Sequence, residues 1–133
     1  MKVIIADDSD LILERLKEML CSFKQIEIVA SLKNGNEALD ALRILKPDLA
    51  IVDIKMPGLS GLEVLKEIRK ENKAIKFIVL TLYSSDYYRQ LAELAGTNYF
   101  YSKADDFDKV TTTVANLIMN SDNDKNSEMI NLN

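Results

Sequence analysis

The chain has 133 residues, of which 47% are hydrophobic and 29% are charged, and its formal net charge is −4. This length and balance are typical of one globular domain with its own core, and the net negative charge argues against a nucleic-acid-binding surface. The single cysteine, Cys21, excludes an internal disulfide, and the lack of histidine excludes imidazole nucleophile systems and imidazole metal ligands. Any chemistry must therefore use carboxylates, hydroxyls and lysines.

Short apolar runs alternate along the chain with segments whose apolar residues recur every three or four positions. The runs predict buried strands, and the periodic segments predict amphipathic helices. In chain order the predicted elements are strand Lys2–Ala6, a helix from Asp10 to Phe23, strand Glu27–Ser31, a helix from Asn36 to Leu45, strand Leu49–Asp53, a helix from Leu62 to Ile68, strand Phe77–Thr81, helix Ser84–Ala95, strand Tyr99–Ser102 and helix Asp105–Met119. We expect Ser9 or Asp10 to cap the first helix, Asn36 to cap the second and Gly96 to end the fourth.

This alternation predicts an α/β fold, in which a parallel sheet of five strands carries helices on both faces. Continuous apolar strands such as "FIVL" fit burial on both faces. The last stretch is polar, rich in asparagine and without clear period. We therefore expect one domain over residues 1–120, followed by a disordered tail over residues 121–133.

Polar residues follow the apolar runs where the predicted strands end. They are Asp7 and Asp8 after the first strand, Asp53 at the end of the third, Thr81 at the end of the fourth and Lys103 after the fifth. In an open parallel sheet, ligands bind outside the carboxyl ends of the strands, at the point where strand order reverses. We therefore expect these side chains to lie together at one edge.

Three neighbouring carboxylates repel one another unless a cation lies among them. Their oxygens suit Mg²⁺, which binds proteins through a few carboxylates and phosphate oxygens. A carboxylate beside Mg²⁺ can attack a phosphoryl group and form an aspartyl phosphate. The transferring group needs a metal, a cation and a hydroxyl donor around it, and Lys103 and Thr81 supply the last two.

Five stretches of the chain closely resemble, in order and spacing, the receiver domain of bacterial two-component response regulators. The resemblance covers about residues 2–119, and it implies a flavodoxin-like sheet with strand order 2-1-3-4-5. The matching stretches are "ADDSD" (6–10), "IVDIKMPGLSG" (51–61), "VLT" (79–81), "AG" (95–96) and "YFYSKADDF" (99–107).

The resemblance implies a role for each matching polar residue of the "ADDSD" and "IVDIKMPGLSG" stretches. Asp53 matches the aspartate that accepts the phosphoryl group, and Asp7 and Asp8 match the acidic pair that binds Mg²⁺. Lys55 occupies the position that offers a backbone carbonyl to the metal.

The later stretches supply the phosphoryl-binding and switch positions. Thr81 and Lys103 match the residues that bind the phosphoryl oxygens, and Phe100 matches the aromatic switch position. We expect Phe100 to move inward from a more exposed position when the phosphoryl oxygens draw Thr81 toward them. Many receivers carry a small residue after the threonine, whereas Leu82 follows here. We expect Leu82, and Tyr83 beside it, to restrict access to Asp53.

The resemblance implies a signalling switch that is not an enzyme, although it takes part in its own phosphorylation and dephosphorylation. The single cysteine and the lack of a long apolar run lead us to expect a reducing cytoplasm. The implied phosphodonor is a separate sensor histidine kinase or histidine phosphotransfer protein. We expect a stand-alone receiver whose output is contact with an unknown protein and not direct nucleic-acid binding or membrane insertion. A surface on the fourth helix, fifth strand and fifth helix could serve that contact or a homodimer.

Two other function classes stay open. One is a receiver-like interaction module that no longer turns over phosphate, for which Leu82 is the sequence support. The other is an aspartyl-phosphate phosphatase of the haloacid-dehalogenase type, suggested by the pair Asp8 and Asp10. Taken singly, Asp7 and Asp8 could also be loop acids that cap the first helix.

Overall fold

Strands and helices alternate strictly along the chain. The structure is a computed structural model that describes the backbone of residues 1–131 and the side chains of residues 1–121. The elements are β1 Lys2–Ala6, α1 Asp10–Leu20, β2 Glu27–Leu32, α2 Gly35–Leu45, β3 Leu49–Val52, α3 Gly61–Glu71, β4 Lys76–Thr81, α4 Asp86–Ala95, β5 Tyr99–Ser102 and α5 Phe107–Asn131. Among the described residues, none of these helices is long and apolar enough to cross a membrane.

The five strands form one sheet in the order β2-β1-β3-β4-β5, and all four strand pairs are parallel. The predicted strand order is therefore confirmed. Strand order reverses beside β1, because the chain goes first to β2 on one side and then to β3 on the other. The carboxyl ends of β1 and β3 are neighbours at this point, which is where open parallel sheets bind ligands.

Two apolar clusters cover the two faces of the sheet. Successive side chains of a strand point to opposite faces, so Val3 and Ile5 of β1 pack in the cluster with α1 and α5. Ile4 and Ala6 pack in the cluster with α2, α3 and α4. All four residues are at most 1% exposed, which explains why the strand is apolar without alternation.

Hydroxyl and amide side chains begin most of the helices. Ser9 caps α1, where its hydroxyl accepts a hydrogen bond from the backbone N–H of Ile12 at 3.3 Å. The predicted cap of α2 is wrong, because Asn34 and not Asn36 caps this helix. Asn36 lies inside the first turn, and its side-chain oxygen instead accepts the backbone N–H of Leu59 at 3.1 Å. Either asparagine suits a cap by residue type, and the backbone conformation decides between them.

The end of α5 differs from the predicted end at Met119, because the helical backbone extends to Asn131. Polar residues without clear period still form a helix when they continue one that packing has already fixed, since propagation is less costly than nucleation. The proposed division at residue 120 into a domain and a disordered tail stays a prediction. Residues 132 and 133, which belong to that tail, lie outside the described residues.

Close packing at Gly61 fixes the loop between β3 and α3. The backbone N–H of Gly61 donates to the carbonyl oxygen of Ile54 at 2.8 Å. A Cβ atom at this position would lie 1.9 Å from the carbonyl oxygen of Asp53. The first turn of α3 therefore packs directly on the backbone of Asp53, and glycine is the residue that permits this approach.

We expect Gly61→Ala to lower the free energy of unfolding by about 1–3 kcal/mol, because the added methyl group meets a backbone oxygen with little room to move. Chemical denaturation measures this change. Leu94→Ala is the control: Leu94 is 86% exposed on α4, and its loss should change stability by no more than about 0.5 kcal/mol. Equal stability of the Gly61 variant and the wild type would contradict the close contact.

Candidate functional site

Backbone pairing places two aspartates at the carboxyl edge of the sheet. Asp53 follows β3, and its backbone N–H donates to the carbonyl oxygen of Ala6, the last residue of β1, at 3.1 Å. Asp7 follows β1. Its backbone N–H donates to the carbonyl oxygen of Leu32, the last residue of β2, with a distance of 3.0 Å. Each aspartate thus extends the parallel pairing by one step, which fixes its direction relative to the neighbouring strand.

Three carboxylates come together at this edge, as the sequence predicted. One carboxylate oxygen from each of Asp7, Asp8 and Asp53 lies within 4.8 Å of the other two. Asp7 is 2% exposed and Asp53 is 5% exposed, whereas Asp8 is exposed to solvent. The cluster therefore has two buried members and one that faces water.

Lys103 joins the two buried carboxylates. Its ammonium nitrogen lies 2.7 Å from Asp7 Oδ2 and 2.8 Å from Asp53 Oδ2, and its side chain is only 8% exposed. The backbone N–H of Lys103 donates to the carbonyl oxygen of Thr81 at 3.0 Å, which ties the residue to β4. Charge-assisted hydrogen bonds of this length at a buried position are among the stronger polar contacts in proteins.

The environment shifts the protonation of both Asp7 and Lys103. Burial raises the pKa of the Asp7 carboxyl above its usual value, although the hydrogen bonds from Lys103 and from the Ser9 backbone favour the charged form. Burial alone would lower the pKa of the Lys103 ammonium, but its hydrogen bonds to Asp53 and Asp7 outweigh that effect and raise it. Lys103 is therefore a permanent cation at neutral pH.

Backbone N–H groups hold the remaining oxygens of the buried carboxylates. Ser9 donates its N–H to Asp7 Oδ1 at 2.9 Å, and Ile54 donates its N–H to Asp53 Oδ1 at 2.7 Å. Each buried carboxylate thus has one oxygen on the main chain and the other on Lys103. These two donors could not be predicted from the sequence, because a main-chain N–H carries no signal in residue type.

Thr81 lies at the end of β4 and is fully buried. Its hydroxyl oxygen accepts the backbone N–H of Tyr83 at 3.1 Å. A hydroxyl that accepts one hydrogen bond keeps its proton for a second partner. Thr81 can therefore act as a hydroxyl donor, the role that its position in the sequence predicts.

Three further predicted residues lie in loops that border the site. Lys55 is exposed in the loop after β3, and its ammonium lies 5.2 Å from the centre of the Tyr83 ring. Leu82 and Tyr83, in the loop after β4, are 67% and 43% exposed. The role of the Lys55 carbonyl at a metal and the role of Leu82 and Tyr83 in access stay predictions.

The predicted exposed position of Phe100 is wrong for this structure. Phe100 is 5% exposed and packs in the apolar cluster beneath α2, α3 and α4. The Arg89 guanidinium of α4 lies 4.7 Å from the centre of its ring. Apolar burial and this cation–π contact both favour the inward position.

The pair of Asp8 and Asp10, which suggested a phosphatase, does not form one site. Asp10 lies in the first turn of α1. Its side chain is 79% exposed and pairs with Lys33 at 2.9 Å. Asp8 instead shares a cluster with Asp7 and Asp53.

The donor set of the cluster fits Mg²⁺. Its ligands are carboxylate oxygens, which this ion prefers, and the exposed Asp8 leaves a side where water ligands can stay. The two buried carboxylates carry two negative charges against the one positive charge of Lys103. A further cation would therefore offset charge that the protein itself leaves uncompensated.

Sequence comparisons place the chain among signalling proteins. A model of the response regulator receiver domain matches residues 3–115. The DNA-binding transcriptional activator EvgA of Escherichia coli K12 is 31% identical over 114 residues, which cover 86% of this chain and 55% of EvgA. The response regulator GacA of Pseudomonas syringae pv. syringae is 34% identical over 85 residues, covering 64% of this chain and 40% of GacA. The chain thus spans about half the length of the curated relatives it matches.

Solved structures agree with this placement. The response regulator domain of Thermotoga maritima CheB has a TM-score of 0.79 at 28% identity, with 90% of this chain and 94% of that chain covered. A DNA-binding response regulator of the LuxR family from Staphylococcus aureus has a TM-score of 0.80 at 30% identity, with 86% and 96% covered. Because the family model also spans most of the chain, this protein belongs to the response regulator receiver domain family, the phosphorylatable switches of two-component systems.

Proposed function

We propose that Asp53 accepts a phosphoryl group from a separate sensor histidine kinase or histidine phosphotransfer protein, with Mg²⁺ as the cofactor. The observation that carries this proposal is the contact of the Lys103 ammonium with the Asp53 carboxylate, 2.8 Å long, beside a second buried acid. From this position the ammonium can contact the Asp53 carboxylate before the transfer and the phosphoryl oxygens after it.

In the proposed transfer, a carboxylate oxygen of Asp53 attacks the phosphorus atom of a phosphohistidine. The new O–P bond forms while the P–N bond breaks, and the imidazole, which carries a proton on its other ring nitrogen, leaves as a neutral base with the P–N electron pair. Negative charge spreads over the three phosphoryl oxygens during transfer. Lys103 offers its ammonium and Thr81 its hydroxyl to these oxygens, and the protein needs no further acid or base.

Asp7, Asp8 and Asp53, together with the backbone carbonyl of Lys55, would hold the Mg²⁺ ion. When bound, the ion supplies positive charge next to the phosphoryl oxygens and lowers the repulsion among the carboxylates. Lys103 lies between Asp7 and Asp53 in this structure. The Lys103 side chain could leave Asp7 for the phosphoryl group, and Asp7 would then be one of the residues that hold the ion.

The readout of phosphorylation is proposed to run through Thr81 and Phe100. A hydrogen bond from Thr81 to the phosphoryl group would pull the loop after β4, because Thr81 also accepts the N–H of Tyr83. Phe100, already inward in this structure, would then hold that arrangement in place, and the face of α4, β5 and α5 would meet a protein partner or a second copy. The proposed location is the cytoplasm, with no direct nucleic-acid contact.

We expect Asp53→Asn to abolish labelling by a small phosphodonor such as acetyl phosphate, because the amide cannot act as the nucleophile. The fold should keep its stability, since the amide oxygen can still accept the Ile54 N–H and Lys103 keeps Asp7. Phosphate incorporation and thermal melting measure the two effects. Asp105→Asn makes the same change at an exposed site and should label normally. Undiminished labelling of the Asp53 variant would mean that another residue is the acceptor.

A second expectation concerns the metal. Mg²⁺ at ten times its dissociation constant should stabilise the wild type by about 1.4 kcal/mol through mass action. Asp8→Ala should lose most of this gain, whereas Asp10→Ala should keep it, because Asp10 pairs with Lys33 outside the cluster. Thermal melting with and without Mg²⁺ gives the comparison. Identical shifts for the two variants would show that Asp8 is not a ligand.

The role of Leu82 in access is tested by Leu82→Ala. An isobutyl group beside Thr81 narrows the approach to Asp53, so its removal should speed labelling and shorten the lifetime of the acyl phosphate. The change should be about tenfold or less, equivalent to about 1.4 kcal/mol of barrier. A stopped-flow labelling course and a decay assay measure it, with Leu94→Ala as an exposed leucine control. Equal or slower labelling would mean that Leu82 points away from the site.

A further inference from the structure

The loop that carries Lys103 is closed by hydrogen bonds between the residues on either side of it. The backbone N–H of Ser102 donates to the Asp106 carboxylate oxygen Oδ2 at 3.1 Å. In return, the backbone N–H of Asp106 donates to the carbonyl oxygen of Ser102 at 2.8 Å. Ser102 and Asp106 thus bind each other in both directions, and Lys103 lies inside the ring that they close.

A third hydrogen bond lies within this ring. The Ser102 hydroxyl accepts the backbone N–H of Ala104, the residue after Lys103, at 3.2 Å. Ser102 is only 5% exposed and pairs with Thr81 in the sheet, so the ring is fastened to β4 and β5. Main-chain groups on both sides of Lys103 are therefore fixed by side chains of Ser102 and Asp106.

The Asp106 carboxylate is suited to this task because it stays ionised. The hydrogen bond from the Ser102 backbone holds the pKa of Asp106 below its usual range. Its other oxygen, Oδ1, lies 3.1 Å from the ammonium of Lys109 on α5. The side chain of Asp106 thus links the end of β5 to the first turn of α5, on either side of the loop that carries Lys103.

We propose that Asp106 is a positioning residue that holds the Lys103 ammonium at the carboxylates of Asp53 and Asp7. It does so through the Ser102 N–H and makes no contact with the phosphoryl group itself. The lysine side chain has four flexible torsions, so a small rotation of its backbone would displace the ammonium from contacts of 2.7 and 2.8 Å. Misplacement of a catalytic group by about 1 Å is enough to slow a reaction substantially. For phosphoryl transfer, this inference rests on the proposed function.

The test compares Asp106→Ala with Asp106→Asn, whose amide oxygen can still accept the Ser102 N–H. Labelling of Asp53 by acetyl phosphate at saturating Mg²⁺ should fall about tenfold in the alanine variant and recover to within about threefold of wild type in the asparagine variant. Lys109→Ala removes the other partner of the Asp106 carboxylate and should label like the wild type. In a Lys103→Ala background, Asp106→Ala should have no further effect on labelling, because there is no ammonium left to position.

A second readout does not depend on phosphate. The side-chain ammonium of Lys103 should give a ¹H–¹⁵N NMR signal, because two buried carboxylates slow exchange of its protons with water. The signal should persist in Asp106→Asn and disappear in Asp106→Ala. If the wild type takes up no phosphate but the signals behave in this way, the proposed function fails and the positioning role stands. The inference is overturned if Asp106→Ala keeps the ammonium signal, or if it slows labelling equally with and without Lys103.

Discussion

The Lys103 ammonium between the carboxylates of Asp7 and Asp53 is the interaction on which the site depends. Burying three charged groups at the end of a sheet has a large desolvation cost, and only good geometry with complete hydrogen bonding offsets it. Here each buried carboxylate has one oxygen on the lysine and the other on a main-chain N–H, from Ser9 or Ile54. Removing Lys103, which would leave both buried carboxylates without a cation, would cost on the order of 3–5 kcal/mol. The strand order 2-1-3-4-5 is what brings the two aspartates to the same edge.

In the proposed function, the same interaction would let the site respond to a metal ion and a phosphoryl group. One ammonium cannot neutralise two buried carboxylates and the exposed Asp8 beside them, so the protein alone leaves uncompensated negative charge at the carboxyl edge of the sheet. A divalent cation and a phosphoryl group on Asp53 would change that balance and give Lys103 a new partner. The ring formed by Ser102 and Asp106 would let the lysine change partner while its backbone stays in place. A change of charge at Asp53 would thus act on the loops after β4 and β5, which adjoin Thr81 and carry Lys103.

Much of this arrangement could be predicted from the sequence, because each main determinant is carried by residue type. Apolar runs followed by Asp7 and Asp53 predict buried strands with acids at one edge, and the structure brings those acids together. What could not be predicted depends on backbone geometry. The cap of α2 is Asn34 because its backbone is extended and Asn36 already lies in the helix. Phe100 occupies an inward position that its residue type permits but does not require.

The most direct measurement is a crystal structure of the chain with Mg²⁺ and beryllofluoride, a mimic of the acyl phosphate. The account predicts beryllium on the Asp53 carboxylate, Mg²⁺ among Asp53, Asp7 and Asp8, and the Lys103 ammonium moved from Asp7 to a fluoride. Beryllofluoride bound elsewhere, or a Lys103 ammonium still shared by Asp7 and Asp53 while beryllium is attached, would contradict it.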